Sequence, residues 1–219
     1  RDGRTVSESQ IAEALEQIVG EATGRIYMTL FASHLHRIKS AVRAAQKHGR
    51  RVALLVRSLE RTWRMAIQHG IIKPDPSLLI APEYLKTAPR ARVLVLCTGS
   101  QGERQGGLHK VAHGTESNFN ARPGDVLVMS SRVIPGNGPQ LRRLLNLLAE
   151  REVKVVTDRM LPIHTSGHAH QEEQRELMGW IKPKMFMPVH GDRTLLEAHA
   201  RTARAQGLER LVLLSGRGE

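Results

Sequence analysis

Apolar positions recur along this chain with two periods, one helical and one extended. Ile11, Ala14, Leu15 and Ile18 fall on one helical face, and Ser7 or Ser9 precedes them as a cap. Residues 26–31 form an apolar run that predicts a first strand. Ser33 then opens a helix striped by Leu35, Ile38, Ala41, Val42 and Ala45 that ends near Gly49. Residues 52–56 predict a second strand, and residues 59–69 a helix closed by Gly70. Pro74, Pro76, Pro82 and Pro89 interrupt the next stretch, leaving a short strand at 78–80. Residues 93–97 are five apolar positions in a row, the pattern of a strand covered on both faces. A short helix at 108–113 follows. The turn Pro123-Gly124-Asp125 introduces a strand at 126–129. Pro135-Gly136 makes a tight turn before a helix striped by Leu141, Leu144, Leu145 and Leu148. Further elements are a strand at 153–156, a helix at 171–181 with Leu177, Met178 and Ile181 on one face, a buried strand at 185–189, a helix at 195–206 and a last strand at 211–214. Strands that alternate with helices at this spacing predict an α/β protein with a parallel, doubly wound sheet.

Charge adds a partner class. The formal net charge is +12, most of the cations are arginine, and aromatic residues make up only 3 %. Arginine forks match phosphate, so a polyanion is expected, held by its backbone rather than by base stacking. The cations are scattered, and solvated helix faces account for part of them. The lone cysteine, Cys97, allows no disulfide within the chain, and no apolar run approaches the ~20 residues of a membrane helix. A cytoplasmic protein without a membrane contact is the expectation.

The candidate chemistry lies between residues 163 and 192. His164, His168 and His170 sit in a Gly/Ser turn before the 171–181 helix, and His190 follows the 185–189 strand. A helix packed on a parallel strand brings two such loops to one sheet edge, where α/β proteins build sites. Imidazoles in that arrangement suit metal-assisted hydrolysis, although a single loop histidine is more often a hydrogen-bonded surface group. A second expected site is Ser33, at a strand-to-helix junction that offers backbone N–H groups to phosphate, with Arg37 closing over the anion. N-capping by Ser33 and a surface role for Arg37 explain the same residues. The glycines of residues 98–107 fit neither a Walker loop nor a dinucleotide fingerprint.

Five loops carry a resemblance. Thr29-Leu30-Phe31-Ala32-Ser33-His34-Leu35-His36-Arg37, Leu96-Cys97-Thr98-Gly99-Ser100-Gln101-Gly102-Glu103, Ser130-Ser131-Arg132-Val133-Ile134-Pro135-Gly136-Asn137, His164-Thr165-Ser166-Gly167-His168-Ala169 and Pro188-Val189-His190-Gly191-Asp192 occur in this order. Together they resemble signature loops of the β-CASP metallo-β-lactamase nucleases, ribonuclease J branch. His34 departs from the pattern, standing where asparagine is usual.

The resemblance implies a β-CASP domain at residues 5–152 and the C-terminal part of a metallo-β-lactamase fold at 153–219. It implies hydrolysis of RNA phosphodiester bonds with divalent metal, two Zn2+ or else Mn2+ or Mg2+, in an enzyme that is expected to be a homo-oligomer. His190 would be a metal ligand, and His168 a proton donor or transition-state stabiliser beside the phosphate. Ser166 and Gly167 would hold phosphate, and His164 would orient their loop. Ser33, Arg37, Ser100, Glu103, Ser130 and Asn137 are carried over as RNA- or phosphate-facing. Asp192 is either a partner of His190 or a turn former, and His170 is expected on the solvated surface.

The family's main metal motif, H-x-H-x-D-H, is absent. Neither His34-Leu35-His36 nor His168-Ala169-His170 continues into Asp-His. The expectation is therefore a C-terminal part that lacks the other half of the catalytic domain, binds metal weakly and binds RNA without cleaving it. A non-catalytic RNA-binding β-CASP module and a β-CASP nuclease acting on DNA are the alternatives.

Overall fold

A computed structural model describes residues 1–114, 120–134 and 136–213. The expected Pro135 half of the tight turn and residue 214 of the last strand lie outside the described residues. Two compact units are present. One comprises Val6–Thr165; the other comprises Arg1–Thr5 and Ser166–Glu219.

The larger unit is built on a five-stranded parallel sheet in the order β2-β3-β1-β4-β5. Its strands are β1 (Ile26–Thr29), β2 (Arg51–Leu54), β3 (Val93–Cys97), β4 (Val126–Met129) and β5 (Lys154–Val156). Alternate strand residues feed two cores, as the period of two requires. Ile26, Met28, Leu94, Leu96 and Val128 pack under α1 (Glu8–Glu21), α2 (Leu35–Lys47) and α3 (Arg57–Gln68). Tyr27, Val95, Cys97, Leu127 and Met129 pack under α4 (Gly107–His113) and α5 (Gly138–Ala149). The sheet is doubly wound, as expected. Burial pushes the Cys97 thiol up to about 12, so it is a small core hydrophobe rather than a reactive group.

Several boundaries move. Ser7 caps α1 in a capping box with Gln10, which settles the choice between Ser7 and Ser9. His34, not Ser33, caps α2, its Nδ1 accepting from the Arg37 N–H at 3.1 Å. The 78–80 stretch adds a parallel bridge, Val52 to Leu79, at the β2 edge. β5 pairs with β4 in register Val126 to Lys154 and completes the sheet of the larger unit, which runs to Thr165.

The smaller unit holds α6 (Gln171–Ile181) and α7 (Arg193–Arg204), tied by a 3.2 Å bond from Gln171 to Thr202. Its first five residues join α6: the Gln171 N–H donates to the Arg1 carbonyl at 2.9 Å, and Arg4 pairs with Glu176 at 2.8 Å. α6 forms over 171–181 as expected; of its apolar stripe only Met178 is buried, and Leu177 is 52 % and Ile181 63 % exposed. One expectation fails here: the buried strand at 185–189 is absent. Phe186 makes one parallel bridge to Leu211, while Met185, Met187 and Val189 stay exposed. The apolar run has no flanking strand among the described residues to complete a ladder.

Candidate functional site

In the larger unit the loops that leave β1, β3, β4 and β5 open at the carboxyl edge of the sheet. Helices after β1 and after its two neighbours β3 and β4 lie on opposite faces, so the strand ends diverge around β1. That divergence is the place where open α/β sheets bind ligands.

Two side chains tie these loops together. The first is Arg37, which is 1 % exposed. Its guanidinium donates to the Ser130 carbonyl at 3.2 Å, to the Ser130 hydroxyl, to the Ile163 carbonyl at 2.8 Å and to Glu8 at 2.8 Å. The Ser130 hydroxyl donates in turn to the Ile163 carbonyl at 2.7 Å. Arg37, expected to close over an anion, is thus committed inside the protein: it fastens α1, α2, the β4 exit and the segment leading to His164. A planar fork with several donors suits such a junction, and a lysine does not supply one. Burial alone would raise the Glu8 carboxyl. The Arg37 hydrogen bonds and charge, with His34 and His36, outweigh it and hold that carboxyl below its ordinary value.

The second tie is Gln101, also buried. Its amide donates to the Arg132 carbonyl at 2.9 Å and accepts from the Ile134 N–H at 2.8 Å and the Asn137 amide at 3.3 Å. Glu103 accepts from the Gln101 N–H at 3.0 Å, which places Glu103 as an organiser of its own loop. The loop closes tightly on glycine. Gly99 has φ +106°, and a Cβ on Gly106 would sit 2.4 Å from the Gly99 Cα.

The remaining expected residues divide by exposure. Ser100 and Ser130 are buried, Asn137 is half-buried, and Ser33 and Glu103 are exposed. Ser131 is buried beside this network, and its hydroxyl oxygen has no hydrogen-bond partner among the described residues. His164 is half-buried. Its pKa is lowered, first by burial and then by the positive charges of Arg37 and Arg132, with Asp158 opposing them. Neutral imidazole is the form favoured there. Arg132 pairs with Asp158 at 2.9 Å. Neither the Arg37 junction nor the Arg132 pair has a local sequence signal, since each joins segments far apart in the chain.

In the smaller unit the fold brings His168 and His190 together, with ring centroids 5.8 Å apart and 16° between planes. Both are exposed. The His168 N–H donates to the Ser166 hydroxyl at 3.1 Å, which shapes the turn, and nothing crowds Gly167. His190 adopts φ +67°, uncommon for a non-glycine residue. Asp192 caps α7 by accepting from the Leu195 N–H at 2.9 Å, so the turn-forming role is the one observed. His170 is half-buried, not solvated: its N–H donates to Glu173 at 2.8 Å and begins α6, and its Nδ1 is buried. Among the described residues no three His, Cys, Asp or Glu side chains converge as a metal shell. His168 and His190 alone fall short of the three or four protein ligands of a zinc site.

Known proteins resemble this chain in sequence. Residues 23–148 match the family model "Ribonuclease J, beta-CASP domain", and residues 152–213 match "Zn-dependent metallo-hydrolase RNA specificity domain". Ribonuclease J 1 of Streptococcus pyogenes is 39 % identical over 93 % of this chain and 36 % of its own length. Ribonuclease J of Thermus thermophilus is 39 % identical over 88 % of this chain and 33 % of its own length. Ribonuclease J of Helicobacter pylori strain J99 is 38 % identical over 95 % and 30 % respectively. This chain therefore spans about a third of the length of these relatives. With its parallel sheet, strand-end loops and second matched segment, the chain belongs to the ribonuclease J β-CASP family, whose second domain is that of a Zn-dependent metallo-hydrolase.

Proposed function

We propose that this chain is the RNA-facing part of a metal-dependent ribonuclease that hydrolyses phosphodiester bonds. The observation that carries this reading is the linked set of strand-end loops in a β-CASP unit, in a chain whose residues 152–213 match an RNA specificity domain. In this reading Ser33 and the exposed backbone around Gly167 meet phosphate directly. Ser100, Ser130, Asn137 and Glu103 shape the loops, and Arg37 holds them in place. His164, kept neutral, supports the turn that presents Ser166 and His168. His168 donates a proton to, or stabilises charge on, the scissile phosphate, and His190 contributes one metal ligand.

Divalent ions, two zinc ions in our reading, would polarise phosphate and lower the pKa of water. The described donor set does not complete such a shell. For the same reason we propose that the 219-residue chain binds RNA without cleaving it. A purely RNA-binding module is the second reading, favoured by that two-imidazole donor set.

Incubation of labelled RNA with the chain and its His168→Ala and His190→Ala variants, in added zinc or manganese, tests the assignment. Binding without cleavage by all three is the expected result. Cleavage by the parent, lost in both variants, would show that these loops assemble a working centre unaided. RNA against DNA competition at stated salt separates the ribonuclease from a DNA-directed relative.

A further inference from the structure

A cleft of about 260 Å3 lies between α2 and the turn after α3, on the face of the larger unit covered by α1, α2 and α3. Lys39, Arg43 and Lys73 line it, with Gln46 beside them and Val42 and Ile72 among its apolar walls. The lining contains no carboxylate. Several cations elsewhere in this unit are paired: Arg37 with Glu8, Lys47 with Glu16, Arg90 with Asp125 and Arg132 with Asp158. Arg50 is bound by the carbonyls of Val19, Ala22 and Gly24. The side chains of Lys39, Arg43 and Lys73 make no ion pair or hydrogen bond with another described residue.

Three unpaired cations around one concave surface set up a positive potential that the walls focus. The end of α3, with its partial negative charge, offsets only part of it. Gln46 adds a neutral donor. The chemistry this cleft selects is a phosphate group. The strand-end loops lie at the start of α2, whereas Lys39, Arg43 and Gln46 lie four, eight and eleven residues along it, about 6, 12 and 16 Å by helical rise. An anion here is separate from one at those loops.

We propose that this cleft seats a backbone phosphate of bound RNA, as a second contact on the β-CASP unit. The inference rests on the RNA reading above. It accounts for the unpaired cations without any role in the chemistry of bond cleavage.

Fluorescence anisotropy with labelled single-stranded RNA over a salt series tests it. The parent chain is compared with the combined Lys39→Gln, Arg43→Gln, Lys73→Gln variant. A charge-matched control carries Arg142→Gln, Arg143→Gln and Lys154→Gln. All six side chains lie at the surface, and thermal melts verify folding. Each phosphate neutralised on a single strand contributes about 0.7 to the log–log salt slope, so the cleft variant is expected to lose about that much for the one phosphate it seats, and roughly tenfold in affinity at low salt. The control is expected to lose far less.

Equal losses in both variants would overturn the proposal, as would unchanged binding in the cleft variant. A parallel titration with pyrophosphate separates the sources of phosphate. Stabilisation of the parent but not of the cleft variant, with RNA binding intact, would overturn the RNA assignment in favour of a small-phosphate seat. Failure of the parent to bind RNA at any salt would overturn the functional reading itself.

Discussion

Replacing Arg37 with methionine removes the guanidinium and keeps an apolar stem in its place. The Ser130 carbonyl then loses its donor, and Ile163 keeps only the Ser130 hydroxyl. Each buried acceptor left unsatisfied costs about 1–3 kcal/mol. Glu8 also loses its partner, but its side chain is 34 % exposed and rehydrates, so it adds little. A loss of about 2–4 kcal/mol follows, less than the ~3–5 of a fully buried broken pair. For a unit of this size that lowers the melting temperature by roughly 5–15 °C. Urea titration followed by circular dichroism measures the loss. Proton NMR of the His164 ring gives a second, local readout. With Arg37 gone, one of the charges that disfavour the imidazolium disappears, and the His164 pKa is expected to rise. Arg37→Lys should recover charge but not the fork, and so only part of the stability. A variant within about 0.5 kcal/mol of the parent, with His164 titrating unchanged, would show that Arg37 is an ordinary surface cation and that the loops are joined by other means.

Three further outcomes are expected. Asp192→Ala removes the α7 cap and should cost about 1 kcal/mol in a thermal melt without changing RNA affinity. Gly106→Ala drives a Cβ against the Gly99 backbone, so a cost of about 1–3 kcal/mol and faster amide exchange across residues 98–107 are expected. Acid should destabilise the chain in a defined window. His164 and His199 have folded pKa values below their ordinary 6.5, chiefly through burial, so the unfolded chain binds their protons first. The stability they contribute is complete above about pH 7 and lost as pH falls below 6.5, whereas that of the depressed Glu8 is lost only below its ordinary 4.5. Urea midpoints at pH 7.5 and 5.5 measure the first step.

The elements of the larger unit were legible because each buries a face that its own residues encode. Val93 to Cys97 is apolar at every position, and the strand feeds side chains into both cores. The stripe Ile11, Ala14, Leu15 and Ile18 likewise names the face that α1 buries. Where the reading failed, the missing information was long-range. Leu177 and Ile181 mark an apolar face of α6, but a stripe tells which face is apolar and not what covers it. Residues 185–189 have strand composition, and a strand exists only where a neighbour supplies the ladder. Arg37 resembles a solvent-facing helix charge until Ser130 and Ile163, 93 and 126 residues away, are placed beside it. The loops of the site were legible as motifs. The roles of their residues were not, because a buried serine that braces a turn and an exposed one that meets phosphate have the same letter.

In the function proposed above, this chain is an RNA-binding β-CASP part of a ribonuclease. The most direct test is equilibrium binding of labelled single-stranded RNA by the 219-residue chain across a salt series, with DNA of the same sequence as competitor. The account predicts saturable binding, a log affinity that falls linearly with log salt, and RNA preferred over DNA. Absence of binding at low salt, or an equal preference for DNA, would contradict it.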